Sequence, residues 1–400
     1  MLTPAEADAL VGQHLQCLPI ESLPLAQCAG GVLRENIYAE RDQPPFDRVA
    51  MDGIALASRA VASGRRAFRV QATQAAGDPP LTLAAPSACI DVMTGAVLPA
   101  GCDSVVPVEE LTVTDGEAVF GAAVRVDPWQ NVHRRGSDTR QGTLLVATGT
   151  RLHAPEIAVA ASAGMARIRV SGQPMLAVIS TGNELIEPGE PVLAHQVRRS
   201  NAYAIVSALR EHGFQRVADD HIQDDAEELR ERLRFHLETH DVLVLSGGVS
   251  MGKFDLVPRV LEELGVHAIF HRVAQRPGKP LWFGVAPSGA AVFGLPGNPV
   301  STLVCLSRYV LPALFASLGQ NPRPPERLAL GAPVTVTPPL THFLPVRIEQ
   351  DDWGRPWAMP APTNGSGDFT SLAGTDGFVE LPPGPNTYKK GFVTRLFRWS

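Results

Sequence analysis

The chain lacks the features that define several protein classes. Its five cysteines, Cys17, Cys28, Cys89, Cys102 and Cys305, are odd in number, widely spaced and form no C-x-x-C pair. That excludes a disulfide framework and a thiolate zinc site, and leaves small buried hydrophobes in a reducing compartment. Aromatics make up only 6% of 400 residues, and the net charge is −6. A chain short of stacking rings and of positive charge is not built to hold nucleic acid. Eleven histidines occur without H-E-x-x-H or another paired spacing, so they carry no metal motif. The opening MLTPAEADAL has neither the basic nor the apolar stretch of a signal peptide. Thr3-Pro4-Ala5-Glu6 reads instead as a capping box with proline at the first helical position. The longest apolar segment, Val300 to Leu318, contains Arg308 and Pro312 and is expected to be a buried helix, not a membrane span. The expectation is a cytoplasmic protein with no membrane or nucleic-acid partner.

What is present is 44% hydrophobic and 19% charged, the material of soluble globular cores, in a length suited to about two to four domains. The first 45 or so residues run from the capped helix to the breaker DQPPFD. From there to about residue 140, short β-like runs (ACIDVM, SVVPV, AVFGAAVRV) alternate with Gly, Pro and Asp. TRLHAPEIAVAASAGMARIRV reads as a helix starting at Pro155 and then a strand, too little for a domain, and is expected to pack back onto the N-terminal part. From about residue 174 strands and helices alternate. MLAVIS, FQRVADDHI, DVLVL, VHAIFHRV, LWFGV and AAVFGL are strands. SNAYAIVSALREHG is a helix with Ser200 as N-cap and Gly213 as its stop. Asp224 or Asp225 caps a helix burying Leu229, Leu233 and Leu237. FDLVPRVLEELG and PVSTLVCLSRYVLPALF are further helices. Such alternation predicts right-handed crossovers and a mostly parallel sheet. The region from about 323 reads as a small β-domain, with barrel and open sheet equally open.

Three of those strands run into loops bearing Gly or Asn: Thr181-Gly182-Asn183-Glu184, Ser246-Gly247-Gly248-Val249-Ser250 and Pro296-Gly297-Asn298-Pro299. In a parallel sheet such loops share the carboxyl edge, where ligands bind, and a following helix N-terminus favours an anion. Arg272, Arg276 and Lys279 suit phosphate or another oxyanion, and Glu184, Asp224 and Asp255 suit a hard cation. Together they suggest a phosphorylated ligand with Mg²⁺. Blander readings stand beside this one: a glycine turn, a helix cap at Asp224, a solvated basic surface, and Asp255 simply favouring its helix N-terminus.

The stretch SGGVSMGKFD also fits two other spacings. A P-loop needs Ser or Thr where Phe254 stands, and phenylalanine has no oxygen for Mg²⁺. A hydrolase elbow at Ser250 lacks an HGGG-type segment and a placed acid–histidine pair.

In order along the chain come PPFDRVAMDGIA (44–55), VMTGAVLP (92–99), NVHRRGSD (131–138), STGNEL (180–185), SGGVSMGKFD (246–255), RPGKP (276–280) and LPGNPVST (295–302). This series resembles the molybdopterin molybdenumtransferases of the MoeA type, related to the gephyrin E domain, over essentially the whole chain. The resemblance implies a multidomain α/β plus β fold: an elongated N-terminal domain in two segments (1–45 and 140–172), an inserted β-rich domain (46–139), a molybdopterin-binding α/β domain (173–322) and a C-terminal β-barrel-like domain (323–400). It implies a homodimer in which the β-rich domain of one subunit faces the α/β domain of the other. The implied reaction is Mg²⁺-dependent insertion of molybdenum from molybdate into adenylylated molybdopterin, with release of AMP. An upstream adenylyltransferase and downstream molybdoenzyme maturation proteins are implied as partners. By motif, the resemblance assigns Asp52, Thr94, Asp138, Glu184, Asp224 and Asp255 to catalysis, with Asp255 and Glu184 on the metal. It assigns Ser180, Gly247, Gly248, Ser250, Arg272, Pro296, Gly297 and Asn298 to the substrate, and Arg276, Lys279, Ser301, Arg347 and Ser366 to molybdate. The sequence departs from the family at Arg199 and Lys253, where acids are common. The rival expectation is a pterin-binding or scaffold paralogue without turnover.

Overall fold

The structure, a computed structural model of the chain, describes residues 1–249, 256–337, 339–361, 363–384 and 386–400. The helix Pro4–His14 starts at the expected capping box: the Glu6 amide donates to Thr3 Oγ1 at 3.3 Å, and the Thr3 amide to the Glu6 carboxylate at 2.7 Å. This helix buries Ala7 and Val11 against the α/β core. From Ile20 the chain turns to a different partner. Strand Ile20–Pro24 pairs antiparallel with Arg167–Ser171, and Leu33, Ile37, Val146, Leu152 and Ile168 form the core beneath. The segment that looked incomplete in sequence is completed by a strand from far upstream. Between these pieces lies a six-stranded mixed sheet of strands Gly53–Leu56, Ala67–Gln74, Ala88–Val92, Ser104–Pro107, Leu111–Thr114 and Glu117–Phe120. Its described hydrogen bonds, and those of the loops around it, run within residues 46–139 or to residues 42–44.

The central unit has strands β1 (Leu176–Thr181), β2 (Val217–Ile222), β3 (Val242–Ser246), β4 (His267–His271), β5 (Trp282–Val285) and β6 (Ala291–Leu295) in the order β2-β1-β3-β6-β5-β4. The four strands β2, β1, β3 and β6 are parallel, whereas β5 is antiparallel to both its neighbours. Hairpin-type pairing of LWFGV with AAVFGL therefore makes the sheet mixed at one end. Residues alternate between two covered faces: Leu176, Val178, Val242 and Val244 join one core, Ala177, Ile179, Leu243 and Leu245 the other. That is why Val242 to Leu245 has no polar member.

Helix α1 (Ser200–Glu211) covers the first face with Ile205 and Leu209. Its N-cap is Arg199, with no side-chain cap, one residue before the expected cap Ser200, which is the first helical residue. The Arg199 side chain is held by ion pairs instead, as described below, and its amide donates to the Ile186 carbonyl at 3.0 Å. Gly213, at φ +93°, follows the helix end as expected. Helix α2 (Ala226–Thr239) is capped by Asp225, which accepts from the amides of Glu227 and Glu228. With α3 (Leu256–Glu263) it covers the second face through Leu229, Leu233, Val257 and Leu261. Helix α4 (Pro299–Ser317) is long and apolar enough to cross a membrane, yet 78% of it is buried inside the protein. It contains a π-helical turn at Leu306–Val310.

The C-terminal strands Pro356–Pro360, Thr341–Gln350, Gly377–Leu381, Val393–Arg398 and Arg327–Ala329 are joined edge to edge, and a bridge between Leu330 and Ala358 links the outer two. The sheet curls into a barrel. Arg308 on α4, 2% exposed, pairs with Asp8 at 2.7 Å and Glu380 at 3.4 Å. One guanidinium thus ties the first helix, the α/β unit and the barrel, and fixes the barrel beside the carboxyl edge of the sheet.

Candidate functional site

Parallel pairing sets Ser180 opposite Ser246 and Ser246 opposite Leu295. The loops after β1, β3 and β6 therefore stand side by side. Among the described residues, two cavities open there. The first, about 420 Å³, is lined by Ser180, Thr181, Glu184, Asn201, Gly247 and Gly297 among others. The second, about 720 Å³, is lined by Arg276, Lys279, Pro296, Ser301, His342 and Ser366 among others. Asn298 lines both. Its Nδ2 donates to Ser366 Oγ at 2.8 Å, and the Val300 amide donates to the Ser366 carbonyl at 3.0 Å. The barrel loop is thereby seated on the N-terminus of α4, and Gly367 reaches the first cavity.

The glycines also serve the packing of the loops on one another. Gly247 has φ +96° and Gly248 φ +64°, conformations costly for other residues. A Cβ on Gly247 would lie 2.7 Å from the Thr181 carbonyl oxygen, and one on Gly248 2.7 Å from Thr181 Oγ1. Their absent side chains let the first two loops pack on each other. Gly297 approaches the Gly247 backbone with ordinary spacing, at 3.7 Å from a built Cβ.

Asn201 is the residue that sequence reasoning missed. Its Nδ2 donates to Ser246 Oγ at 2.9 Å and to the Gly297 carbonyl at 2.8 Å, joining the second loop to the third. An asparagine in the first turn of α1 was a visible signal, but its two partners lie 45 and 96 residues away. Asn201 Oδ1, Ser180 Oγ and Thr181 Oγ1 are buried with no hydrogen-bond partner among the described residues, and all three residues line the first cavity. Buried polar atoms left in this state are costly unless a ligand or water meets them.

Of the acids, Glu184 is exposed on the wall of the first cavity. Asp224 makes a reciprocal pair with Asn183: the Asp224 amide donates to Asn183 Oδ1 at 2.9 Å, and the Asn183 amide to Asp224 Oδ2 at 3.3 Å. Asp224 thus steadies the first loop and lines neither cavity. Ser250, Lys253 and Asp255 lie outside the described residues. Among the described residues no three His, Cys, Asp or Glu side chains gather as a metal site. Mg²⁺ needs only one or two carboxylates when a ligand's phosphates and water complete its shell, so Glu184 on the cavity wall is compatible with it.

Of the cations, Arg276 and Lys279 share the second cavity with Ser301 and Ser366. Arg272 follows β4 in the left-handed region, φ +80°, with its amide donating to Leu281 at 2.9 Å. Arg347 is exposed on its strand, opposite Met359. Neither is among the residues lining the two cavities. Arg199 does line the first cavity, but it is 6% exposed and forks onto Asp219 at 2.9 and 2.6 Å, with Glu187 at 2.6 Å. Its charge is answered by the protein's own acids.

The remaining three predicted residues are in the β-rich insert. Asp52 accepts from both the amide and the hydroxyl of Thr94, each at 2.6 Å. These two bonds, the hydroxyl's foremost, hold the Asp52 carboxyl below the usual range. Asp138 pairs with His133 at 2.8 Å, and the other ring nitrogen of His133 meets Arg48 at 2.9 Å. Arg48 and His133 are opposite one another in an antiparallel two-strand ladder. Asp52, Thr94 and Asp138 are all exposed.

Residues 2–164 match the family model of the MoeA N-terminal region (domain I and II), residues 177–316 that of a probable molybdopterin binding domain, and residues 327–393 that of the MoeA C-terminal region (domain IV). The class is a multidomain α/β protein built around a unit of the molybdopterin-binding type. The chain is 38% identical over 400 residues to the molybdopterin molybdenumtransferase of Synechocystis sp., covering 100% of both. It is 36% identical over 383 residues to that of Synechococcus elongatus, covering 94% of this chain and 93% of the relative. It matches the crystal structure of the molybdopterin biosynthesis MoeA protein from Pyrococcus horikosii with a TM-score of 0.82 and 30% identity, over 100% of this chain and 99% of that one. The chain belongs to the MoeA-type molybdopterin molybdenumtransferase family and is an enzyme of molybdenum-cofactor biosynthesis.

Proposed function

We propose that the chain inserts molybdenum from molybdate into adenylylated molybdopterin, in a Mg²⁺-dependent reaction that releases AMP. The observation that carries this reading is the pair of cavities meeting at Asn298. The first offers unpartnered hydroxyl and amide groups beside an exposed carboxylate, as a polar pterin nucleotide requires. The second offers Arg276, Lys279 and two serines, a setting for a tetrahedral oxyanion. A ligand lying across Asn298 brings its metal-accepting end close to bound molybdate, which favours reaction by proximity.

Mg²⁺, when bound, offsets charge on the oxygens of the phosphoanhydride as it breaks. Glu184 is the described carboxylate placed to hold it, with Asp255 assigned beside it by sequence motif. In this reading Ser180, Gly247, Gly297 and Asn298 orient the substrate, while Asp224 acts by holding the first loop. The exposed Asp52–Thr94 and His133–Asp138 groups act on the same ligand from a second copy of the chain, in a cytoplasmic homodimer. The four-part division at about residues 45, 139, 172 and 322 belongs to the same reading. An upstream adenylyltransferase supplies the substrate, and proteins that mature molybdoenzymes take the product.

The test is incubation of the protein with adenylylated molybdopterin, Mg²⁺ and molybdate. Release of AMP that depends on both Mg²⁺ and molybdate is expected. Tight binding of the adenylylated substrate without AMP release would leave a pterin-binding scaffold in its place.

A further inference from the structure

Among the residues lining the second cavity is a buried side chain that carries no charge, Gln275. We infer that Gln275, held by Tyr309, is a positioning residue for the oxyanion pocket. This rests on the reading of Arg276 and Lys279 as oxyanion ligands. Gln275 is 0% exposed and immediately precedes the turn Arg276-Pro277-Gly278-Lys279. Its Nε2 donates to the Gly278 carbonyl at 3.1 Å, inside that turn. Its Oε1 accepts from the hydroxyl of Tyr309, itself 2% exposed. Tyr309 sits in the π-helical turn of α4. Such turns are rare and re-aim side chains that a regular helix would place elsewhere.

The turn has little other freedom. Gly278 has φ +89°, and a Cβ there would lie 2.6 Å from both Cys305 Sγ and Gln275 Nε2. The Val273 amide donates to the Lys279 carbonyl at 3.0 Å and closes the turn's base. Gln275, with the Cys305 thiol at 3.8 Å, reads the turn's middle carbonyl, and through Tyr309 it links the turn to α4, which also carries Ser301 in the same cavity. A glutamine fits because the task needs one donor and one acceptor at once. An ionised glutamate keeps the acceptor and loses the donor, leaving the Gly278 carbonyl without that partner.

The experiment is equilibrium dialysis of molybdate against the full-length wild type, Arg276→Ala, Gln275→Glu and Tyr309→Phe, with melting curves and the KM for adenylylated molybdopterin measured alongside. Gln275→Glu is expected to weaken molybdate binding roughly 10-fold, the scale seen when outer support of a ligand site is removed. Tyr309→Phe is expected to weaken it less, with the KM for the pterin nucleotide unchanged in both. If Gln275→Glu does not fold, Tyr309→Phe alone decides. Wild-type molybdate affinity in the variants, with Arg276→Ala weakened, would overturn the positioning role and leave the pocket standing. Equal loss of molybdate and pterin-nucleotide binding would overturn it as well, since it would mark general loosening. No effect of Arg276→Ala would remove the oxyanion pocket itself, and this inference with it.

Discussion

The carboxyl edge of the α/β sheet and the acidic turns of the β-rich insert both carry residues expected in catalysis, and they are built in opposite ways. At the edge, the polar groups are buried, the loops are packed glycine against backbone, and two cavities are enclosed within one chain. In the insert, Asp52, Thr94 and Asp138 are exposed, and their hydrogen bonds go to near neighbours. The difference teaches what each region needs. The edge is preorganised and awaits a ligand, whereas the insert presents a hydrogen-bonded carboxylate on an exposed surface.

Damage should therefore be of different kinds. The largest effect is expected from Gly247→Val, which places a branched side chain at φ +96° against the Thr181 carbonyl. It should cost about 1–3 kcal/mol of stability from backbone strain and remove substrate binding; thermal melting and dialysis of the pterin nucleotide measure both. Next, Asp52→Asn should lower turnover by about 100-fold, as loss of a reacting carboxylate does, while leaving the melting temperature unchanged because the group is exposed. A large drop in melting temperature would erase the distinction between the two regions.

A smaller, directed effect is expected from Thr94→Val. Asp52 is held below the usual carboxylate range, so its charge-dependent contribution is full above that range and fades as pH falls through the lowered value. Removing the hydroxyl raises the carboxyl toward its ordinary value, and the acid limb of the activity profile should move to higher pH. Carboxyl titration by NMR checks the shift directly. The smallest effect is expected from Arg347→Ala. The family resemblance assigns Arg347 to molybdate, but it is exposed and outside both cavities. Its molybdate affinity should stay within about twofold of wild type, as for ordinary surface substitutions.

The strands of the α/β unit were legible because two-face burial leaves an unbroken apolar run, as Val242 to Leu245 shows, and its helices because one buried face leaves an apolar stripe. The three-loop edge was legible because parallel topology fixes which strand ends meet. Other features depend on partners distant in sequence. Ile20–Pro24 completes a ladder with residues 167–171, and Asn201 links loops that no local pattern connects. The N-cap of α1 was misplaced by one residue because Ser200 is a good cap in isolation, while Arg199 is fixed by Asp219 and Glu187. Gln275 carries no charge and belongs to no catalytic residue type, so only its buried contacts single it out.

Subunit complementation tests most directly whether the insert serves the cavities of a second copy. Asp52→Asn and Asn298→Ala subunits, each inactive as homodimers, are co-expressed and the mixture is assayed for AMP release. Random pairing should restore about a quarter of wild-type activity, since half the dimers then hold one intact composite site of two. Activity no higher than that of the separate variants would contradict the account and assign Asp52 to the cavities of its own chain.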